Sequence, residues 1–206
     1  MDSYTVAPHL EYFKQPLAAF TTARPEFDSF GVGAYIFSTC SRQDAANTPH
    51  ILLLQRALTD SMGGCWEGPG GAYEPDTDAI LLDGVVREVL EESGLHVSRI
   101  VDLVAVDSWM RTRRSDGTKQ RIAKYTFIVE VHEAMQQSQA VPYEDIPIRM
   151  EASEHQAFEW AVEEDVRLSL TPGQGPYKFP PGLISHQAPN ILRAFELFGA
   201  LQAQTM

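Results

Sequence analysis

Apolar positions along the chain fall into short blocks with two different periods. Phe30 to Thr39 and Ile51 to Leu58 are apolar and β-prone, and a polar stretch containing Ser41-Arg42-Gln43-Asp44 and Asn47-Thr48-Pro49 lies between them. They predict two strands joined by a loop. Ile100 to Met110 and Ile122 to His132 flank Ser115-Asp116-Gly117, which signals a hairpin. Gln156 to Ala161 gives a further short strand through Phe158 and Trp160, and Val162 to Leu170 a short helix. A Gly/Pro-rich loop from Thr171 to Gly182 then leads to a closing amphipathic helix near Gln187 to Gln202, with Ile191, Leu192, Phe195, Leu197 and Phe198 apolar. Residues 1–28 mix Pro, Phe, Thr and charges without a clean period. They are read as an N-terminal extension to a domain over 29–206.

The remaining helical run, Asp78 to Gly94, follows a glycine-rich turn, Gly68-Pro69-Gly70-Gly71. Leu82, Val85, Val86 and Val89 supply its core face. Asp76, Thr77 or Asp78 can start it, and Gly94 ends it as a left-handed cap. Glu88, Glu91 and Glu92 stand at i, i+3 and i+4, the spacing that brings side chains onto one face. Three like charges there repel, and a hard divalent cation with oxygen ligands is the usual filler. The plainer reading is a solvated helix face whose acids pair with nearby cations.

These residues resemble the signature of the Nudix hydrolases, G-x5-E-x7-R-E-U-x-E-E-x-G-U with U aliphatic. Arg87, Glu88, Val89, Glu91, Glu92, Gly94 and Leu95 fill its second half, and Trp66-Glu67-Gly68-Pro69-Gly70-Gly71 is similar to the usual approach to it. The first half departs: sixteen steps separate Gly71 from Arg87 where the family has fourteen, so two residues are inserted near Glu74-Pro75-Asp76-Thr77-Asp78. Asp78 is the closest substitute for the family's first Glu, which braces the loop. The resemblance implies an α/β fold, an α/β/α sandwich around a mixed β-sheet. It also implies Mg²⁺ or Mn²⁺ held by Glu88, Glu91, Glu92 and the Gly71 carbonyl, with a metal-activated water attacking a diphosphate. One of these acids or a loop Glu would take the proton, and Arg87 would orient a carboxylate. Glu154, beside His155, resembles the place where many members put an extra catalytic or metal-binding Glu, and it reads equally as a surface loop acid.

Composition narrows the choice of substrate. Sixteen basic against 28 acidic residues give a formal charge of −12 over 206 residues, which disfavours nucleic acid and anionic membrane as partners. Within that acidic chain, Arg111, Arg113, Arg114, Lys119 and Arg121 gather beside the hairpin turn. They read either as a phosphate-binding patch or as a solvated hairpin. Trp109, Tyr125, Phe127, Tyr143 and Tyr177 could stack on a base, with core packing the commoner fate of such residues. Cys40 and Cys65 lack metal-type spacing and are expected as thiols in a reducing cytosol. No apolar stretch is long enough to cross a bilayer, so a cytoplasmic protein is expected. The expected activity is metal-dependent hydrolysis of an organic diphosphate, X-P-P-Y, by default a nucleoside diphosphate derivative. The competing readings are an enzyme acting on a non-nucleotide diphosphate, such as an isoprenoid one, and a Nudix module that binds a nucleotide without cutting it. The sequence leaves the oligomeric state open, a homodimer included.

Overall fold

The computed structural model describes residues 3–43, 46–113, 116–171, 173–181 and 186–205. In chain order the strands are β1 (Thr5–Val6), β2 (Ser29–Ser38), β3 (His50–Arg56), β4 (Trp66–Glu67), β5 (Val97–Thr112), β6 (Lys119–Val131), β7 (Met135–Gln136), β8 (Gln139–Ala140) and β9 (His155–Val162). The helices are α1 (Leu17–Thr22), α2 (Leu81–Ser93), α3 (Glu163–Leu168) and α4 (Gln187–Thr205), and a 3-10 turn runs over Pro8–Lys14. The expected strands and helices are present with ends moved by a few residues. Arg114, Ser115, Asp44, Pro172 and Gly182 lie outside the described residues.

One mixed sheet runs β1-β5-β6-β2-β3-β4, with β9 paired to β3, and β7 and β8 form a separate two-stranded ribbon. β5 and β6 make the long antiparallel hairpin, β2 lies parallel to β6, and β9 is antiparallel to β3. Strand alternation sorts side chains between two cores. Val32, Ala34 and Ile36 of β2 turn, with Ala123, Tyr125, Phe127 and Val129 of β6, toward α2 and the N-terminal residues. Tyr35, Phe37 and Ile128 turn the other way, toward Val166 of α3 and Ile191, Ala194 and Phe195 of α4. This is the α/β/α sandwich that the element order implied.

Residues 5–22, read from sequence only as an extension, are built into the first core. Thr5 and Val6 pair with Arg99 and Ile100. Phe20 is fully buried, and the Phe13 and Phe20 rings meet Phe127 and Phe30 edge-on at 5.2 and 5.4 Å. The segment has no readable period because Pro8 and Pro16 break it into pieces too short to show one.

β2 and β3 pair only at Phe37–Ile51 and Ser38–His50 and then diverge. The glycine turn occupies the gap. The Ala34 amide donates to the Pro69 carbonyl at 2.8 Å, the Val32 amide to the Gly71 carbonyl at 2.9 Å, and the Tyr73 amide to the Phe30 carbonyl at 3.1 Å. A Cβ on Gly70 would come within 2.4 Å of the Val32 carbonyl oxygen, so only glycine fits this approach.

Candidate active site

α2 faces the turn from the other side. It begins at Leu81, later than Asp76–Asp78, because the Asp83 carboxylate reaches back to the Ala79 and Ile80 amides, both at 3.1 Å, and caps the first turn. Gly94 closes the helix in the left-handed region, φ 70°. Asp78 instead is buried and pairs with Arg87, whose Nε and Nη2 each lie 3.2 Å from the carboxylate. Asp78 also accepts the Glu74 amide at 2.7 Å. The inserted segment is thereby tied down to α2 through one buried ion pair.

Arg87 has no reach toward the cleft. Besides Asp78 it donates to the Ala72 carbonyl at 2.8 Å, Glu88 at 2.9 Å and Glu91 at 3.0 Å. The three acids are therefore not equivalent. Glu88 and Glu92 are buried under the turn, whereas the Glu91 side chain is 55% exposed and lies at the rim, held by Arg87. A Cβ on Gly71 would stand 2.6 Å from Glu88 Oε1, and the Gly70 amide donates to Glu92 Oε2 at 2.8 Å. The Gly71 carbonyl, expected as a metal ligand, accepts the Val32 amide with one of its two lone pairs.

Burial pushes Glu92 up to about 9; the Gly70 amide opposes this, and Glu67 and Glu88 reinforce it. Burial raises Glu88 as well, with Arg87 opposing and Glu91 and Glu154 adding. Across the cleft, the Ala57 amide donates to the Glu154 carbonyl at 2.7 Å, which fixes the start of β9. Glu154 is exposed and His155 is buried, and one donor atom from each of Glu92, Glu154 and His155 lies within 4.8 Å of the others. Clustered carboxylates that resist ionising together, with an imidazole beside them, suit a divalent cation.

The basic hairpin does not form a single patch. Arg111 pairs with Gln120, and that pair shares a face with Trp109–Ile122 and Asp107–Lys124, while Thr112–Lys119 and Met110–Arg121 take the other face. Arg111, Thr112 and Arg113 border a hollow with Thr59, Asp60 and Ser61, and Lys119 and Arg121 are not part of its lining.

A second cleft continues from the carboxylates and is lined in part by Arg56, Glu67, Asp107, Trp109, Lys124 and Asn190. The Arg56 guanidinium donates to both Glu67 and Asp60. Burial pushes the Glu67 carboxyl up, but His155, Lys124 and Arg56 outweigh it and hold the group low and charged. Asn190 donates to Asp107 at 2.5 Å. Lys124 passes over Gly33, where a Cβ would come within 2.8 Å of its Cε. Of the aromatic candidates only Trp109 lines this cleft; Tyr125, Phe127 and Tyr177 are core, and Tyr143 packs on His50 and Trp160. Arg56, Glu67, Lys124 and Asn190 are scattered singly along the chain, so only the phase of β6, which aligns Lys124 with Asp107, hinted at them.

The NUDIX domain model matches residues 30–179. None of the curated proteins matches. Among solved structures the chain is similar to a NUDIX-hydrolase-type protein of Listeria monocytogenes, at 17% identity, 85% of this chain, 95% of that one and a TM-score of 0.54. It is similar to a MutT/nudix family protein of Enterococcus faecalis, at 16% identity, 92% of this chain, 73% of that one and a TM-score of 0.52. A third likeness is to the Nudix hydrolase RenU of M. smegmatis, at 17% identity, 84% of this chain, 87% of that one and a TM-score of 0.50. These likenesses bear on the fold alone. The match to the domain model extends from β2 to the loop before α4 and takes in the glycine turn and the acids of α2, and on it we conclude that the chain belongs to the NUDIX domain family and is a hydrolase.

Proposed function

We propose that this protein hydrolyses an organic diphosphate, X-P-P-Y, in a Mg²⁺- or Mn²⁺-dependent reaction, with a nucleoside diphosphate derivative as substrate. The observation that carries this reading is the pair of buried acids, Glu88 and Glu92, pressed against Gly70–Gly71, with burial pushing Glu92 up to about 9. Glu88, Glu92 and Glu154 would hold the cation, with Glu91 at the rim. Bound there, a divalent cation neutralises diphosphate charge and makes a water acidic enough to attack phosphorus.

The chain's own groups do the rest. Arg87, linked to Asp78, Ala72, Glu88 and Glu91, is a positioning residue that fixes the helix acids against the turn. Glu91, the carboxylate left outside that set at the rim, would serve as the base for the attacking water. Arg56 is already neutralised by Glu67 and Asp60, but Lys124 has no hydrogen bond or ion pair among the described residues. Its ammonium is the cation available to a phosphate oxygen.

Beyond the phosphates, Trp109 offers a stacking face, and Asp107, held by Asn190 and His186, stands beside it as a polar group. A carboxylate and amide beside an indole face favour a nucleoside over an isoprenoid tail. The retained acids favour catalysis over binding alone. A panel of nucleoside diphosphate sugars, dinucleoside polyphosphates, oxidised nucleotides and isoprenyl diphosphates, run with Mg²⁺ or Mn²⁺ in ¹⁸O-water, tests the reading. Label should enter one phosphate product, and chelator should abolish turnover. Full activity in excess chelator, or turnover confined to isoprenyl diphosphates, overturns it.

A further inference from the structure

Buried histidines almost always find partners for their polar ring atoms. His155 is 2% exposed, yet neither Nδ1 nor Nε2 makes a hydrogen bond. Its nearest anionic neighbour, Glu67 Oε1, is 3.7 Å from Nε2, beyond hydrogen-bond range. The backbone that carries the ring is pinned on both sides. The His155 amide donates to the Glu151 carbonyl at 2.9 Å, and the residue pairs with Arg56 where the β3–β9 register shifts.

The ring also sits where its nitrogen is useful. Glu92, Glu154 and His155 are the only metal-capable trio of donors among the described residues, with atoms within 4.8 Å of one another. Donors about 2.1 Å from a cation stand roughly 3–4 Å apart, so a closure on the order of 1 Å brings all three into contact with one ion. Glu67, 3.7 Å from Nε2, is the kind of carboxylate that, on closing to hydrogen-bond distance, takes the proton of one ring nitrogen and leaves the other for a metal.

We propose that His155 is a nitrogen ligand, so that Glu92, Glu154 and His155 form a mixed centre that takes a first-row transition dication in preference to Mg²⁺. This rests on the metal-dependent reading above and goes beyond it in naming the ligand and the metal class. Imidazole is a borderline donor that strengthens binding of Co²⁺, Zn²⁺ and their neighbours, whereas Mg²⁺ seeks oxygen and keeps its waters.

The test needs no substrate. Pulsed electron paramagnetic resonance of the Mn²⁺-loaded wild-type chain should show one directly bound imidazole nitrogen, with its frequencies changed by ¹⁵N-histidine labelling. Because no other histidine belongs to a metal-capable group among the described residues, this measurement stands even if a variant misfolds. In calorimetry, His155→Gln should weaken Co²⁺ binding about tenfold or more and Mg²⁺ binding by less than about threefold, and the nitrogen signal should vanish. No nitrogen coupling in the wild-type chain, coupling that persists in His155→Gln, or equal changes for Co²⁺ and Mg²⁺ would each overturn the proposal. The two readings fail separately: nitrogen coupling without any diphosphatase activity removes the function proposed above, and Mg²⁺-dependent turnover without nitrogen coupling removes this one.

Discussion

Replacing Glu92 by Gln should stabilise the metal-free protein, and only at the upper end of the pH range. The Glu92 carboxyl moves from an ordinary value of 4.5 to about 9 on folding. A raised acid contributes its full stability below the unfolded value and loses it as pH climbs toward the folded one. Across pH 5 to 8 the linkage relation gives a loss of about 4 kcal/mol for such a shift, because the folded chain must keep a proton that the unfolded chain releases. The glutamine side chain has the shape of the protonated acid and can still accept the Gly70 amide, but its extra amide protons gain nothing, so we expect a net gain of about 2–4 kcal/mol at pH 8 and nearly none at pH 5. For a chain of this size that is a rise in Tm of roughly 5–12 °C. Thermal unfolding in chelator, wild type against Glu92→Gln at pH 5, 6.5 and 8, reads it directly. Saturating metal should reverse the ranking at pH 8, since only the wild-type chain then has its buried charge compensated. A Tm difference independent of pH, or a Glu92→Gln variant less stable at pH 8, would refute the account of Glu92 as an acid kept neutral by burial.

Glu91→Gln should cost less turnover than Glu92→Gln, because Glu91 is a half-exposed rim group paired with Arg87; kcat for the two variants checks this. Lys124→Gln should lower kcat/KM by about 10–100-fold through the lost charged hydrogen bond to phosphate while leaving Tm nearly unchanged, which parallel kinetics and melting would show. Arg111→Ala with Arg113→Ala should raise KM and flatten its salt dependence, whereas Lys119→Ala with Arg121→Ala should leave both at wild-type values, as the strand faces require. Asp78→Ala removes one of the two buried carboxylates paired with Arg87 and should cost about 1.5–3 kcal/mol in urea unfolding.

The parts of this molecule that announce themselves are those with a period or a long local signature. The α2 face of Leu82, Val85, Val86 and Val89, the Gly94 cap and the β5–β6 hairpin are fixed by contacts a few residues apart. Their sequence pattern and their structure coincide. The helix start is misplaced by sequence because Asp76, Thr77 and Asp78 are all capable caps, and the choice of Asp83 depends on where Arg87 draws Asp78. Residues 5–22 are hidden for a different reason, since Phe13 and Phe20 find their partners about a hundred residues away. Among the candidate site residues, the acids of α2 and Glu154 can be named in advance. Lys124 and Arg56 cannot, because only the sheet brings β6 and the end of β3 to the same cleft. The basic hairpin misleads as a cluster, since counting charges along a strand ignores that neighbours face opposite ways.

The seating of the glycine turn on β2 also dictates an order of assembly. Val32, whose amide holds the Gly71 carbonyl, is itself paired in parallel with Tyr125, 93 positions later. Parallel pairing across such a separation closes a large loop and forms slowly, while α2 can coil from its own sequence at once. On a growing chain, therefore, the acidic helix exists before its floor does, and Glu88 and Glu92 stay hydrated until β6 has emerged and set β2 in register. The corner that holds Glu88 and Glu92 cannot close before β6, and a nascent chain stalled before β6 has emerged would carry every acid of α2 without their floor.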